Sequence, residues 1–159
     1  LAISIISAAL AVTGCETVPN ASATIETANL IQLQNKTWIA THLGNTEIKT
    51  APTAHNIPSL QFDAATKRVT GTDGCNRIMG SYEAGRDTLI LSQMAGTKMA
   101  CLDNNNVSQK FNQALDQVAN YQVFGKTLKL LDRHGNVLIQ FKSSVQPRES
   151  AAIKSLFSQ

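Results

Sequence analysis

Three cysteines and three histidines are the side chains here best suited to nucleophilic or metal chemistry. A Cys-His nucleophile needs a base beside Cys75 or Cys101. His42, His55 and His134 fall at a strand edge, in a proline-flanked loop and in a hairpin turn, and none is spaced as a partner. Zinc favours closely spaced ligand pairs, and the chain has no Cys-x-x-Cys or His-x-x-x-His. Isolated surface histidines explain all three. No catalytic residue, metal ligand or cofactor is therefore expected. Arg77 is the remaining candidate: it locks a corner by pairing with Asp73 or bonding turn carbonyls, or it contacts an anionic ligand at an open barrel end. The lock is the preferred reading, because its neighbours Gly74 and Asn76 are turn residues.

Cys15 has a different chemistry. It closes an uncharged apolar stretch ending Leu10-Ala11-Val12-Thr13-Gly14-Cys15. A membrane-spanning helix needs about 20 apolar residues, so residues 1–14 fit a signal peptide better. Without Met or a basic n-region, the start reads as truncated upstream. The run resembles the lipobox of bacterial lipoprotein precursors. That resemblance implies cleavage after Gly14, a diacylglyceryl group on the Cys15 sulfur and acylation of the freed amine. Several acyl chains anchor a protein stably where one does not. Glu16, in place of the inner-membrane-retaining Asp, implies the periplasmic face of the outer membrane. An ordinary secretory signal with an incidental cysteine is the alternative.

The formal charge is +3, from 14 Lys and Arg against 11 Asp and Glu. The basic residues are scattered, which argues against nucleic-acid binding but lets the protein rest near anionic head groups. Outside the cytoplasm, Cys75 and Cys101 are expected to pair as a disulfide. The loop-entropy model assigns such a bridge about 3.5 kcal/mol. Two buried thiols, or one reactive cysteine, are the alternatives.

The elements that must position these residues are mostly short strands. Residues 16–34 read as a tether reaching roughly 60 Å from the bilayer when extended, with Leu33 packing on the domain. Alternation then marks strands at 37–42, 60–63, 68–71, 77–82 and 88–92. Val107, Phe111, Ala114, Leu115 and Val118 recur at helical spacing, with Asn104, Asn105 or Asn106 as the cap. Strands resume at 121–124, turn at Gly125-Lys126, and 127–131 pairs with 137–142. Residues 147–159 form a frayed tail or a short helix burying Ile153, Leu156 and Phe157. The expected fold is mainly β: a small, antiparallel, partly open barrel of about seven to eight strands with one packed helix.

Gly74-Cys75-Asn76-Arg77, with Gly80-Ser81-Tyr82 after it, follows Trp38 in the first strand. Thr97-Lys98-Met99-Ala100-Cys101 then precedes the helix and the closing hairpin. This order and spacing, from about residue 33 to 141, resemble the META domain, or HslJ-like, family. The resemblance implies a partly open β barrel carrying a helix. Members are often envelope lipoproteins, and one relative is heat-inducible and associated with novobiocin resistance. It implies structural roles for Trp38, Gly74, Asn76, Arg77, Gly80, Tyr82, Thr97 and Met99, and no enzymatic mechanism.

The expected protein is thus a non-enzymatic, monomeric outer-membrane lipoprotein of envelope stress response or maintenance. Its expected partners are the membrane, through the lipid anchor, and an envelope protein. Two other readings stay open. One is a barrel whose apolar interior holds a small ligand. The other is a periplasmic thiol or hydrolytic enzyme.

Overall fold

The computed structural model describes residues 14, 21–49, 56–101 and 106–144. Cys15, His55, Asn104, Asn105 and the segment from 145 onward lie outside them, as does most of the apolar stretch 1–14.

Nine strands and two helices are present among the described residues. The chain runs α1 (Ala21–Leu33), β1 (Thr37–Leu43), β2 (Thr46–Glu47), β3 (Ser59–Phe62), β4 (Arg68–Thr72), β5 (Arg77–Ala84), β6 (Leu89–Gly96), α2 (Val107–Leu115), β7 (Asn120–Phe124), β8 (Thr127–Leu131) and β9 (Val137–Ser143). The strands form one antiparallel sheet in the order β6-β5-β4-β3-β1-β9-β8-β7, with β2 paired to β1. Alternation of side chains gives the sheet one apolar face: Trp38 and Ala40, Leu60 and Phe62, Ile78 and Tyr82, and Leu128 and Leu130 are all buried there. The sheet curls around that face. Among the described residues its two ends meet where Thr88 bridges Asn120, with Leu89 N–H donating to the Ala119 carbonyl at 3.0 Å and Tyr121 N–H to the Asp87 carbonyl at 2.8 Å. This is a mainly β, partly open barrel.

α2 covers one opening. Phe111 and Leu115 point inward, and the Phe111 ring meets Phe141 edge-on at 6.2 Å. Its cap differs from expectation. Asn106 takes φ 61° and its side chain makes no capping hydrogen bond.

α1 replaces part of the expected tether. Its larger apolar residues, Ile25, Leu30, Ile31 and Leu33, do not gather in one stripe, so its helical pattern is faint. Tertiary contacts hold it: Leu33 is buried, Asn29 Nδ2 donates to the Arg86 carbonyl at 2.7 Å, and Gly125 N–H donates to Gln32 Oε1 at 3.2 Å. Strand β6 also runs on past Ser92 to Gly96, across a bulge containing Gln93 at φ 53°.

Tyr121 links the seam to the β5–β6 turn, donating its hydroxyl to the Gly85 carbonyl at 2.7 Å. Burial, then the negative charges of Glu26 and Asp87, push that hydroxyl up to about 12. An unfolded tyrosine ionises near pH 10. The folded state therefore holds this proton after the unfolded state has lost it. The resulting stability is complete below about pH 10 and falls as pH rises toward 12. Alkaline unfolding titrations should show this slope, and Tyr121→Phe should flatten it.

Candidate functional site

The β4–β5 corner collects most of the motif residues. The chain turns there through Gly74 at φ 96°, where an added Cβ would come within 2.8 Å of the Asn56 carbonyl oxygen. Asp73 is 2% exposed. Its Oδ1 accepts the N–H groups of Cys75 at 2.9 Å and Asn76 at 2.6 Å. Its Oδ2 accepts Asn112 Nδ2 of α2 at 2.7 Å. One carboxylate thus folds the turn and fastens the helix to it.

Asn76 performs the second join. Its Oδ1 accepts the Thr97 hydroxyl at 3.1 Å and the Met99 N–H at 2.7 Å. The Thr97 oxygen in turn accepts Arg77 N–H at 3.1 Å. Cys75 and Cys101 stand at disulfide-bonding distance, with Cα atoms 5.9 Å apart. The two motif segments are therefore halves of one clamp. Replacing both cysteines by alanine should lower stability by about 3.5 kcal/mol, from the entropy of the reopened loop. Urea unfolding of the double variant, compared with the oxidised and the reduced parent, measures it.

The other motif residues are placed differently. Trp38 is buried and donates Nε1–H to the Leu33 carbonyl at 2.8 Å. The Tyr82 hydroxyl accepts from Gln34 Nε2 at 2.8 Å, donates to the Asp63 carbonyl at 3.0 Å, and its ring packs edge-on to Phe62. Burial, chiefly, raises its pKa. Gly80 lies where β6 bulges, and a Cβ there would strike the Met94 sulfur. Met99 contributes its backbone, and its side chain is 63% exposed.

Arg77 departs from its expected part. It is exposed, and among the described residues its guanidinium pairs with neither Asp73 nor a turn carbonyl; only its backbone enters the clamp, the N–H donating to the Thr97 oxygen and the carbonyl accepting the Thr97 N–H at 3.0 Å. Asp73 is committed to backbone and Asn112 instead. Sequence reasoning missed Asp73 as the organiser, although an Asp two residues before its N–H partner is a turn signature. Asn112 gave no signal, since it meets Asp73 only through the tertiary fold.

Beside the clamp runs a groove of about 290 Å³. Ile78, Met94 and Leu115 line it with apolar surface; Lys98 and Asp116 line it with charge. Beyond the Thr88–Asn120 bridge, no described strand pairs with the outer edge of β6. An unpaired strand edge offers main-chain donors and acceptors to an extended segment. The barrel interior is filled by Trp38, Phe62, Tyr82, Phe111, Tyr121 and Phe141. Among the described residues no three His, Cys, Asp or Glu side chains gather as metal ligands.

Comparison with known proteins agrees with this architecture. An NMR structure of a protein from Burkholderia xenovorans is 23% identical over 75% of this chain and 88% of its own, with a TM-score of 0.55. A crystal structure of a DUF4847 family protein from Bacteroides vulgatus is 21% identical over 74% of this chain and 99% of its own, with a TM-score of 0.53. At these identities the likeness concerns the fold alone. No curated protein matches the chain. The META domain model matches residues 31–145, the stretch that carries the barrel, the clamp and α2, and the chain belongs to the META domain family.

Proposed function

We propose that this protein is an outer-membrane lipoprotein, anchored through Cys15 and facing the periplasm, whose META domain acts in envelope stress response or maintenance by binding rather than catalysis. The observation that carries this reading is the commitment of the clamp. Asp73, Asn76 and Thr97 spend their side-chain oxygens on turn, loop and helix. What the corner offers a visitor is the open β6 edge with its adjoining groove. An extended segment of an envelope protein suits that edge, because β-augmentation draws on main-chain hydrogen bonds.

A photoreactive residue at Gln93, introduced into the membrane-anchored protein in intact cells, tests this. A discrete adduct is expected, abolished when Met94→Lys places a charge in the groove. No reproducible adduct would sink the binding reading. Intact mass of the membrane-extracted protein tests the anchor separately, as a start at Cys15 with added acyl mass. Equal effects of Cys75→Ser and Cys101→Ser on stability and phenotype would dispose of the thiol-enzyme alternative.

A further inference from the structure

The outer surface of β7, β8, β9 and β1 has one sign of charge. No Asp or Glu occurs within these four adjacent strands. Their inner face buries Tyr121, Leu128, Leu130, Ile139, Phe141 and Trp38, so alternation turns the intervening side chains outward. Register places these outward residues in rows. Phe124 pairs with Thr127, Thr127 with Lys142, and Lys142 with Ile39. In the next row Gln122 pairs with Lys129, Lys129 with Gln140 and Gln140 with His42, beyond which His42 pairs with Glu47 of β2. Lys126 is exposed in the turn beside Phe124. Asp132 follows β8 at the opposite end, since Leu131 pairs with Asn120.

Phe124 is 89% exposed, the most exposed large apolar side chain among the described residues. Ile31 of α1 is 71% exposed and precedes Gln32, which accepts the Gly125 N–H of the same turn. A lone exposed aromatic needs no explanation. An exposed aromatic flanked by Lys126 and Lys142, on four strands without acids and at the far side of the rows from Glu47 of β2, has the composition of an interfacial membrane contact. Aromatic and aliphatic tips enter the head-group boundary while lysine stems reach phosphates.

We infer that this face, led by Phe124 with Lys126, Lys129 and Lys142, docks on an anionic phospholipid surface. The occupant follows from charge complementarity and from the apolar tip at the edge of the basic rows. The contact goes beyond the anchor. It would orient the barrel against the bilayer and hold the β6 edge, at the far end of the strand order from β7, in a fixed attitude. It stands whether or not Cys15 is acylated.

The test uses the full chain carrying Phe124→Trp. The only native tryptophan, Trp38, is buried and serves as the internal reference. With brominated phosphatidylglycerol–phosphatidylethanolamine vesicles, emission from position 124 should be quenched. Adding Lys126→Glu and Lys142→Glu should lower the vesicle partition coefficient read from that quenching about thirtyfold. Lys49→Glu with Lys110→Glu makes the same charge change elsewhere and should leave it intact. Equal quenching on phosphatidylcholine, no quenching at all, or equal loss in the control pair would overturn the inference. So would a concentration-dependent spectral shift at position 124 without vesicles, which would mean a second copy covers the face. Vesicle retention without quenching would leave the anchor reading standing and remove this one.

Discussion

Trp38→Ala should lower the unfolding free energy by about 4 kcal/mol, within the usual range for deleting a buried large aromatic. Two losses combine. The ring has no exposed surface and sits on the central strand β1, between β3 and β9, so its cavity is bounded by sheet on both sides. Its Nε1–H also satisfies the carbonyl of Leu33, the last residue of α1. Helix ends leave carbonyls without internal partners, so this bond fastens α1 to the barrel. Trp38→Phe separates the two contributions: it keeps most of the packing, removes the hydrogen bond and should cost about 2 kcal/mol. Urea unfolding gives both values. Hydrogen exchange should show α1 opening sooner in the Phe variant while β8 and β9 keep their protection. An unchanged α1 would mean that Asn29 and Gln32 suffice to hold it.

The same residues show what a reader of the sequence can and cannot see. Strands were legible because one face is buried at strict alternation, as in Leu60-Gln61-Phe62 and Thr127 through Leu130. The second helix was legible because Phe111 and Leu115 stand four apart on one stripe. Apart from Leu33, α1 was not, because its other contacts are polar side chains reaching a distant carbonyl and amide, Asn29 to Arg86 and Gln32 to Gly125. No local periodicity encodes such partners. The expected asparagine cap failed at Asn106, where the left-handed backbone carries the chain into α2 without the side chain. At the clamp, the turn residues Gly74 and Asn76 were legible as turn chemistry. The reach of Asn76 to Thr97 and Met99, more than twenty residues on, depends on the pairing of β5 with β6. Arg77 was misjudged for a related reason. Asp73 is the obvious partner by sequence distance, but the turn's own N–H groups are nearer to its carboxylate.

Asp73→Ala should be nearly as damaging as Trp38→Ala, at about 4 kcal/mol, although it removes no apolar core. The carboxylate accepts three hydrogen bonds in a nearly fully buried position, and such charge-assisted bonds are individually worth about 1.5–3 kcal/mol. Alanine leaves the Cys75 and Asn76 N–H groups and the Asn112 amide without their acceptor. Some of that loss is recovered by water entering from the groove, which Asp73 and Asn112 both line. Asp73→Asn is the informative companion. Its Oδ1 can still take both turn N–H groups, while its amide nitrogen faces Asn112 Nδ2. Asn112 can answer by rotating its own amide so that its oxygen accepts. The expected cost is therefore only about 1 kcal/mol. In the Asp73→Asn background, Asn112→Ala should cost only about 0.5 kcal/mol, the worth of a weaker neutral bond, whereas in the parent it should cost about 1.5 kcal/mol. A double-mutant cycle in urea reads that coupling directly. If Ala and Asn at position 73 proved equally mild, the carboxylate would be a passenger at the corner. The clamp would then rest on Asn76 and the cysteine pair alone.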